Sequence, residues 1–351
     1  MNERDTLMER IRTHIGGDAT AQESETLLDE LSAWQARHLE PFAKLRALRG
    51  PGVAMPTDVF RFTRLAVHET NEDVRLFRTS GTTNGARGQH AVRDLALYDL
   101  AAERAARRML FPDVERMRLV IIAPRSQELP DSSLSYMLGR FCDWFASSCS
   151  HVWPVDESKL RGALSTDEPI AILGTSFALV HAHDALGDMR FSLAPGSRIM
   201  QTGGFKGRSR VIEPDAMRTM LSERYGVPDT HIVGEYGMTE LSSQMYETAL
   251  RDDLAGVSRT RRYWAPPWLR VRINDPATLE PIRDQSGAGV IQLDDLANLD
   301  SVCRIQTADL GRLLPTDPEL DGEGQCFELH GRDANAVPRG CSLATEEALA
   351  P

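Results

Sequence analysis

Cysteine is scarce in this chain and poorly spaced for metal work. Five occur among 351 residues (Cys142, Cys149, Cys303, Cys326 and Cys341), and no two form a CxxC pair. An odd number without that spacing argues against a disulfide framework or a zinc site and reads as thiols of a reducing compartment. Long apolar runs are also missing: the longest, Ile170 to Val180, is too short and too polar to cross a bilayer. The N-terminus, Met1-Asn2-Glu3-Arg4-Asp5, lacks the apolar core of a secretion signal. Together these absences predict a soluble, cytoplasmic protein. Positive charge is in deficit, with 40 Lys and Arg against 51 Asp and Glu and a net charge of −11. That balance excludes a broad nucleic-acid-binding surface. The short basic clusters Arg104 to Arg108 and Arg259 to Arg262 read as a solvated helix face and a loop.

What is present is an ordinary globular balance, 41% apolar and 26% charged, in a length sufficient for one large domain or two smaller ones. Residues 1–70 read as a polar helical segment packed on the body. Leu27, Leu28, Leu31, Trp34 and His38 recur there at three- and four-residue spacing. Pro51, Gly52 and Pro56 interrupt, and Val59 to Phe62 reads as a short extended piece. A helix is predicted over Asp94 to Leu110 and another over Asp215 to Tyr225. Short apolar runs at 119–123, 170–173, 198–200 and 231–233 read as strands. Strands alternating with helices predict an α/β body with a largely parallel sheet over residues 71–262. From Trp264 the texture changes to brief strands at 269–273, 289–293 and 326–329, a smaller β-rich subdomain over 263–330. Residues 331–351 read as a hinge-like motif and a short mobile tail.

Two segments carry chemistry. Thr79-Ser80-Gly81-Thr82-Thr83-Asn84-Gly85 is rich in hydroxyls and unobstructed backbone N–H groups, the kit for holding phosphate oxygens. It lacks the Gly-Lys-Ser/Thr ending of a Walker loop. His231-Ile-Val-Gly-Glu-Tyr236-Gly-Met-Thr239-Glu240 is an apolar run ending in an aromatic, a hydroxyl and a carboxylate, at the strand end where open α/β sheets bind ligands. Taken singly, the first is also readable as a surface turn, and Glu240 as a helix cap or an arginine partner.

Order along the chain decides between these readings. The hydroxyl–glycine loop, Tyr236 to Glu240, Thr307-Ala308-Asp309-Leu310-Gly311 and Gly331-Arg332-Asp333 follow one another as in the adenylate-forming enzymes, which the chain resembles from Phe77 to Gly340. It is most similar to the LuxE-type acyl-protein synthetases, through Gly234 to Gln244, Gly203-Gly204-Phe205-Lys206 and Arg339-Gly-Cys341-Ser-Leu343. The resemblance implies roles position by position. Thr79, Ser80, Gly81, Thr82, Thr83 and Gly85 would handle the β- and γ-phosphates of ATP. Tyr236 would pack on adenine, with Gly203, Gly204 and Phe205 against the same base. Thr239 would lie beside the α-phosphate, and Glu240 would hold Mg²⁺, a hard cation suited to an oxygen ligand. Asp309 and Arg332 would approach the ribose. The implied chemistry activates a carboxylic acid, of fatty type by the resemblance, as acyl-AMP.

Two motifs depart from the family pattern. No lysine follows the phosphate loop, which leaves Arg87 as the nearby cation, and the ribose motif reads Thr-Ala-Asp. Lys206 is a second candidate cation or an exposed surface lysine. The resemblance further implies a C-terminal lid domain, yet few residues follow Gly340 and none is lysine, so the expected architecture is the large N-terminal domain without its lid. Cys341 then becomes the candidate acyl acceptor, passing its thioester to a partner acyl reductase of LuxC type. Two alternatives stand beside this: direct transfer to an amine, a carrier thiol or coenzyme A, and a non-catalytic nucleotide-binding subunit. Cys142, Cys149, Cys303 and Cys326 are read as core residues. His181 and His183, two apart, share no helical face and are rejected as a metal pair. Phe177, Ala178 and His181 are expected to line the acyl pocket, and His231 is expected to be a satisfied core histidine.

Overall fold

The protein is described by a computed structural model over residues 2–17, 20–80, 86–203, 212–282 and 287–332. Its N-terminal segment forms three helices, α1 (Glu3–Gly16), α2 (Ala21–His38) and α3 (Glu40–Arg49). Thr20 and Glu23 cap α2 reciprocally, satisfying two otherwise orphaned N–H groups. Leu27, Leu28, Leu31 and Trp34 bury its apolar stripe. Each such leucine contributes about 1.5–3 kcal/mol of burial. Gln35 then fixes the helix to the far end of the chain, donating to the Asn298 carbonyl (2.7 Å) and accepting from the Cys303 N–H (2.8 Å). The short strand β1 (Met55–Pro56) leads into a 3₁₀ turn at Thr57–Arg61, not the extended piece expected around Val59: Phe60 is buried there, and the turn closes through Phe62 N–H to the Val59 carbonyl.

A two-stranded ribbon of β2 (Arg75–Arg78) and β3 (Gln89–Val92) flanks the hydroxyl-rich loop, followed by α4 (Ala96–Met109). The body then alternates: β4 (Met117–Ile122), α5 (Ser133–Phe145), β5 (Ala146–His151), α6 (Glu157–Leu164), β6 (Ile170–Thr175), α7 (Ser176–Ala185), β7 (Arg198–Thr202), α8 (Pro214–Tyr225) and β8 (Ile232–Tyr236). These five strands pair in parallel, in the order β8-β7-β6-β4-β5. Alternation along them feeds two separate cores. Leu119, Ile121, Leu173, Met200 and Val233 join the cluster under α4 and α5, while Val120, Ile122, Ile172, Ile199 and Ile232 join the cluster under α6, α7 and α8. Both faces are covered, which is why the strands read as continuous apolar runs.

The remaining strands are antiparallel: β9 (Met245–Glu247), then α9 (Ala249–Leu254), β10 (Tyr263–Ala265), β11 (Leu269–Asn274), β12 (Gly289–Asp295) and β13 (Arg304–Leu314), then α10 (Pro318–Asp321) and β14 (Gln325–Arg332). β9 and β10 join them to the body, so a single sheet runs β11-β12-β13-β14-β10-β9-β8-β7-β6-β4-β5, with β1 beside β13. The β-rich segment thus extends the same sheet as the α/β body. β13, 11 residues long, carries the Thr307–Asp309 motif and was absent from the predicted strands. Its polar residues hid it: Gln306 and Thr307 are buried but spend their side chains on neighbouring carbonyls. No helix among the described residues is long and apolar enough to cross a membrane.

Candidate active site

β8 is the keel of the site. All five of its residues are buried, and it ends at Tyr236 where the sheet changes from parallel to antiparallel pairing. Gly234 is required by close approach: a Cβ there would lie 2.6 Å from the Tyr263 hydroxyl and 3.0 Å from the Glu247 carboxyl. The Gly234 N–H donates to that carboxylate (2.8 Å), and Arg261 donates to it as well (2.7 Å). Arg259 and Arg261 are therefore half-buried, ion-paired side chains and not freely solvated ones. Arg259 pairs with Asp252 and Asp321 at 2.6 and 3.2 Å.

After Tyr236 the chain enters an irregular loop that is held at three points. His90 of β3 sits 2.8 Å from the Thr239 carbonyl, so Nδ1 carries the proton it donates. Burial pushes that imidazole down to about 4, which keeps it neutral. Asn298 donates to the Glu240 carbonyl (2.8 Å). Asp295, at the end of β12, accepts from the N–H groups of Ser242 (3.0 Å) and Ser243 (2.9 Å) and from the Ser243 hydroxyl (2.7 Å). These contacts fix the backbone that presents Thr239 and Glu240.

The ribose-type motif comes together by strand register. Asp309 of β13 and Arg332 of β14 are directly opposed in the antiparallel ladder, which brings residues 23 apart (332 − 309) into contact. Arg332 Nε lies 3.3 Å from one carboxylate oxygen of Asp309, and the Tyr236 hydroxyl donates to the other at 2.7 Å. Burial and the Asp309 charge push the phenol well above its ordinary range, so it stays a donor.

These residues line a cavity of about 720 Å³. It brings together Thr79, Ser80, Gly203, Tyr236, Thr239, Glu240, Asp309 and Arg332 of the predicted set. Thr79 closes the base of the hydroxyl-rich loop, its N–H donating to the Gly88 carbonyl (2.9 Å) and its hydroxyl accepting from Gly88 N–H (2.8 Å). Gly81, Thr82, Thr83, Gly85, Gly204, Phe205, Lys206 and Cys341 lie outside the described residues.

Several expectations are corrected. Arg87 is not among the cavity-lining residues; its guanidinium clamps the loop base, donating to the Thr79 carbonyl (2.6 Å) and to Asp131 (2.7 Å). Arg78, next to Thr79 and Ser80 in the chain, is one of the arginines that line the cavity. Phe177, Ala178 and His181 are not among the residues lining it: Ala178 packs into the second core, and Phe177 stacks on the exposed His181. Ser176, Leu134 and Gln201 stand on the wall instead. His231 is the core histidine expected, its Nδ1 3.0 Å from the Ser197 carbonyl. Cys303 and Cys326 are buried free thiols, as expected. Cys142 and Cys149 are not separate thiols. Their sulfurs are bonded, because α5 runs straight into β5 and returns Cys149 alongside Cys142.

Two buried acids carry the electrostatics. Burial pushes Glu240, only 3% exposed, up to about 7 against the opposing pull of a backbone hydrogen bond and Arg332. Burial pushes Glu235 up to about 7 as well, with the Thr202 hydroxyl donating to it as partial compensation. Motif reading missed Glu235, Asp295, Asn298, His90 and Arg78. Signals existed for Glu235, an acid inside an apolar strand, and for Arg78, a cation directly before Thr79. Asp295, Asn298 and His90 sit far off in sequence and act on the motif's backbone.

The LuxE acyl-protein synthetase family model matches residues 52–350. No curated protein gives a significant match. Among solved structures, an open conformation of 2-hydroxyisobutyryl-CoA ligase in complex with 2-HIB-AMP and CoA is similar with a TM-score of 0.61 at 15% identity, covering 91% of this chain and 76% of that one. The same ligase in its postadenylation state with R3-HIB-AMP gives 0.60 at 14% identity, covering 91% and 69%. ATP-bound MatB from Rhodopseudomonas palustris gives 0.46 at 17% identity, and the chain spans 50% of its length. The chain belongs to the LuxE acyl-protein synthetase family, a family of ATP-dependent acyl ligases, and its fold is that of the large N-terminal domain of adenylate-forming enzymes.

Proposed function

We propose that this LuxE-family ligase activates a carboxylic acid of fatty type as acyl-AMP and then carries the acyl group on Cys341 to a partner acyl reductase in the cytoplasm. The observation that carries the reading is the convergence of Thr79 and Ser80, Thr239 and Glu240, and the Tyr236–Asp309–Arg332 cluster on one cavity.

In the first step a substrate carboxylate oxygen attacks the α-phosphorus of ATP, an acyl–O–P bond forms, and the bond to the β-phosphate oxygen breaks to release pyrophosphate. The protein's task is positioning and charge compensation. Asp309 accepts from ribose hydroxyls while Arg332 and Tyr236 hold its carboxylate in place. Arg78 offsets phosphate charge beside Thr79 and Ser80, and Thr239 donates to the α-phosphate. Mg²⁺ fits the donor set, because a buried carboxyl titrating near 7 gives up its proton readily when a dication arrives. Glu240 would hold it, and the ion when bound supplies charge neutralisation at the phosphates. In the second step the Cys341 thiolate attacks the acyl carbonyl, forming a thioester and expelling AMP.

Intact-mass measurement after incubation with ATP, Mg²⁺ and a series of carboxylic acids tests both steps. The expected result is a hydroxylamine-labile acyl adduct on wild type. Cys341→Ser should still exchange pyrophosphate with ATP in the presence of the acid, yet carry no adduct. A Cys341→Ser chain that supplied a partner reductase as fast as wild type would overturn self-acylation in favour of direct transfer.

A further inference from the structure

Far from the cavity, the edge of the sheet carries a second group of chemistry-bearing side chains. Cys142 lies in the last turn of α5. Cys149 and His151 lie two residues apart on β5, the edge strand, and so share a face. The Cα atoms of the two cysteines are 5.8 Å apart and their sulfurs are joined. The Cys142 sulfur is 3.8 Å from His151 Nε2, and one ligand atom from each of the three residues falls within 4.8 Å of the others. All three are half-buried, with Cys142, Cys149 and the neighbouring Trp144 packed against the main core.

We propose that, once its disulfide is reduced, this Cys142–Cys149–His151 group is a Zn²⁺ site at the sheet edge, the disulfide and the bound metal being its two alternative states. The donor set decides the metal: two thiolates and an imidazole suit Zn²⁺ and not the oxygen-seeking Mg²⁺ or Ca²⁺. Tetrahedral bonds of about 2.3 Å to sulfur and 2.0 Å to nitrogen put those atoms roughly 3.6 Å apart, close to the Cys142–His151 spacing already present. Strand and helix hold the three side chains, so binding needs only the two sulfurs to separate. The fourth position falls to water. The steps balance. An external dithiol supplies two electrons and two protons, opens the Cys142–Cys149 bond and becomes a disulfide itself. Zn²⁺ then displaces the two thiol protons. A disulfide oxidant reverses both steps and releases the metal.

The test uses the full chain with Cys341→Ser as background, so that the tail thiol does not report. The protein is reduced, freed of reductant without air, and titrated with Zn²⁺ against a chromophoric chelator; Co²⁺ is used in parallel for its thiolate charge-transfer absorption. One equivalent of Zn²⁺ should bind the reduced protein, and none with thiolate character the disulfide form. Cys149→Ser and His151→Ala should each weaken binding at least tenfold. Their far-UV circular dichroism and their ATP–pyrophosphate exchange should stay at the level of the Cys341→Ser background, which separates loss of the site from loss of the fold. Metal bound through Glu240 gives no thiolate band. Absence of a stoichiometric thiolate–Co²⁺ signal in the reduced protein, or its persistence in both variants, would overturn the proposal.

Discussion

Asp252 and Asp321, beneath β10 and β14, are buried as deeply as Glu235 and Glu240 at the end of β8, with exposures of 4% and 1% against 7% and 3%. Their electrostatics run in opposite directions. Burial alone would raise the Asp321 carboxyl, but the Asp317 N–H and the guanidiniums of Arg251 and Arg259 outweigh it and hold the group below its ordinary range. Asp252 is held down the same way, by Arg259, the Thr248 hydroxyl and Arg251. At Glu235 and Glu240 burial wins, and both rise to about 7. A buried acid matched by fixed arginines is scaffold, since its charge is already compensated. A buried acid whose desolvation is not offset still has charge to exchange, and here that acid lines the cavity where phosphates and a dication would arrive.

Breaking the scaffold cluster should cost the most. Asp321→Ala removes one of the two carboxylates shared by Arg251 and Arg259, whose side chains are 9% and 13% exposed, and leaves both cations on Asp252 alone. Removing one member of a buried ion-pair network costs about 3–5 kcal/mol. Urea unfolding should show that loss, and a change under 1 kcal/mol would mean the cluster is not a matched pair. Next comes Glu240→Gln, which keeps the shape of the cavity group but cannot take up a cation's charge. Several kcal/mol of transition-state stabilisation depend on that compensation, so acyl-AMP formation should fall at least about a hundredfold. Pyrophosphate exchange reads it directly, and unchanged exchange would remove Glu240 from the mechanism. Asp309→Ala comes third. It removes ribose hydrogen bonds, each contributing about 1–2 kcal/mol, and should raise the Kd for ATP roughly tenfold or more with a smaller change in turnover. Wild-type affinity there would mean the Tyr236–Asp309–Arg332 cluster serves another ligand.

The same contrast explains what could be read before the fold was known. The parallel body was legible because its strands, covered on both faces, are continuous apolar runs such as Leu119 to Ile122 and Ile170 to Leu173. Motif order carried Tyr236, Thr239, Glu240, Asp309 and Arg332 to the cavity wall. What stayed hidden is interaction across long stretches of chain. Asp295 holds the loop that begins at Tyr236 from more than fifty residues away, and His90 does so from nearly one hundred and fifty (239 − 90 = 149). The basic run Arg259 to Arg262 looked solvated because sequence shows charge without its partners, here Asp252 and Asp321 for Arg259. β13 was missed because its buried Gln306 and Thr307 satisfy themselves on Ile291, a polar solution that mimics a loop. The pairing of Cys142 with Cys149 depends on α5 passing into β5 without a connecting loop.

The smallest change at neutral pH belongs to Glu235→Gln, and it sharpens the comparison through its pH dependence. Near pH 7 the wild-type carboxyl is about half protonated, so a neutral amide of the same shape perturbs little while still accepting from Thr202. The sign follows from proton counting. In the unfolded chain Glu235 ionises near its ordinary value of about 4.3, whereas the folded group keeps its proton to about 7. Between those values the native state binds more protons, so this group's contribution to stability is full below about pH 4 and declines as pH rises to about 7. Asp252 and Asp321 slope the other way: their contribution is present above the ordinary aspartate range and is lost as pH falls through the depressed values. Wild-type unfolding free energy, measured in urea between about pH 3 and about pH 7.5, should therefore carry a downward component that Glu235→Gln removes, by up to about 1.4 kcal/mol per pH unit. The lower limb, set by the matched aspartates, should be untouched. A variant that parallels wild type across the whole range would show Glu235 ionised in the fold at pH 5, and would place it with the compensated acids instead.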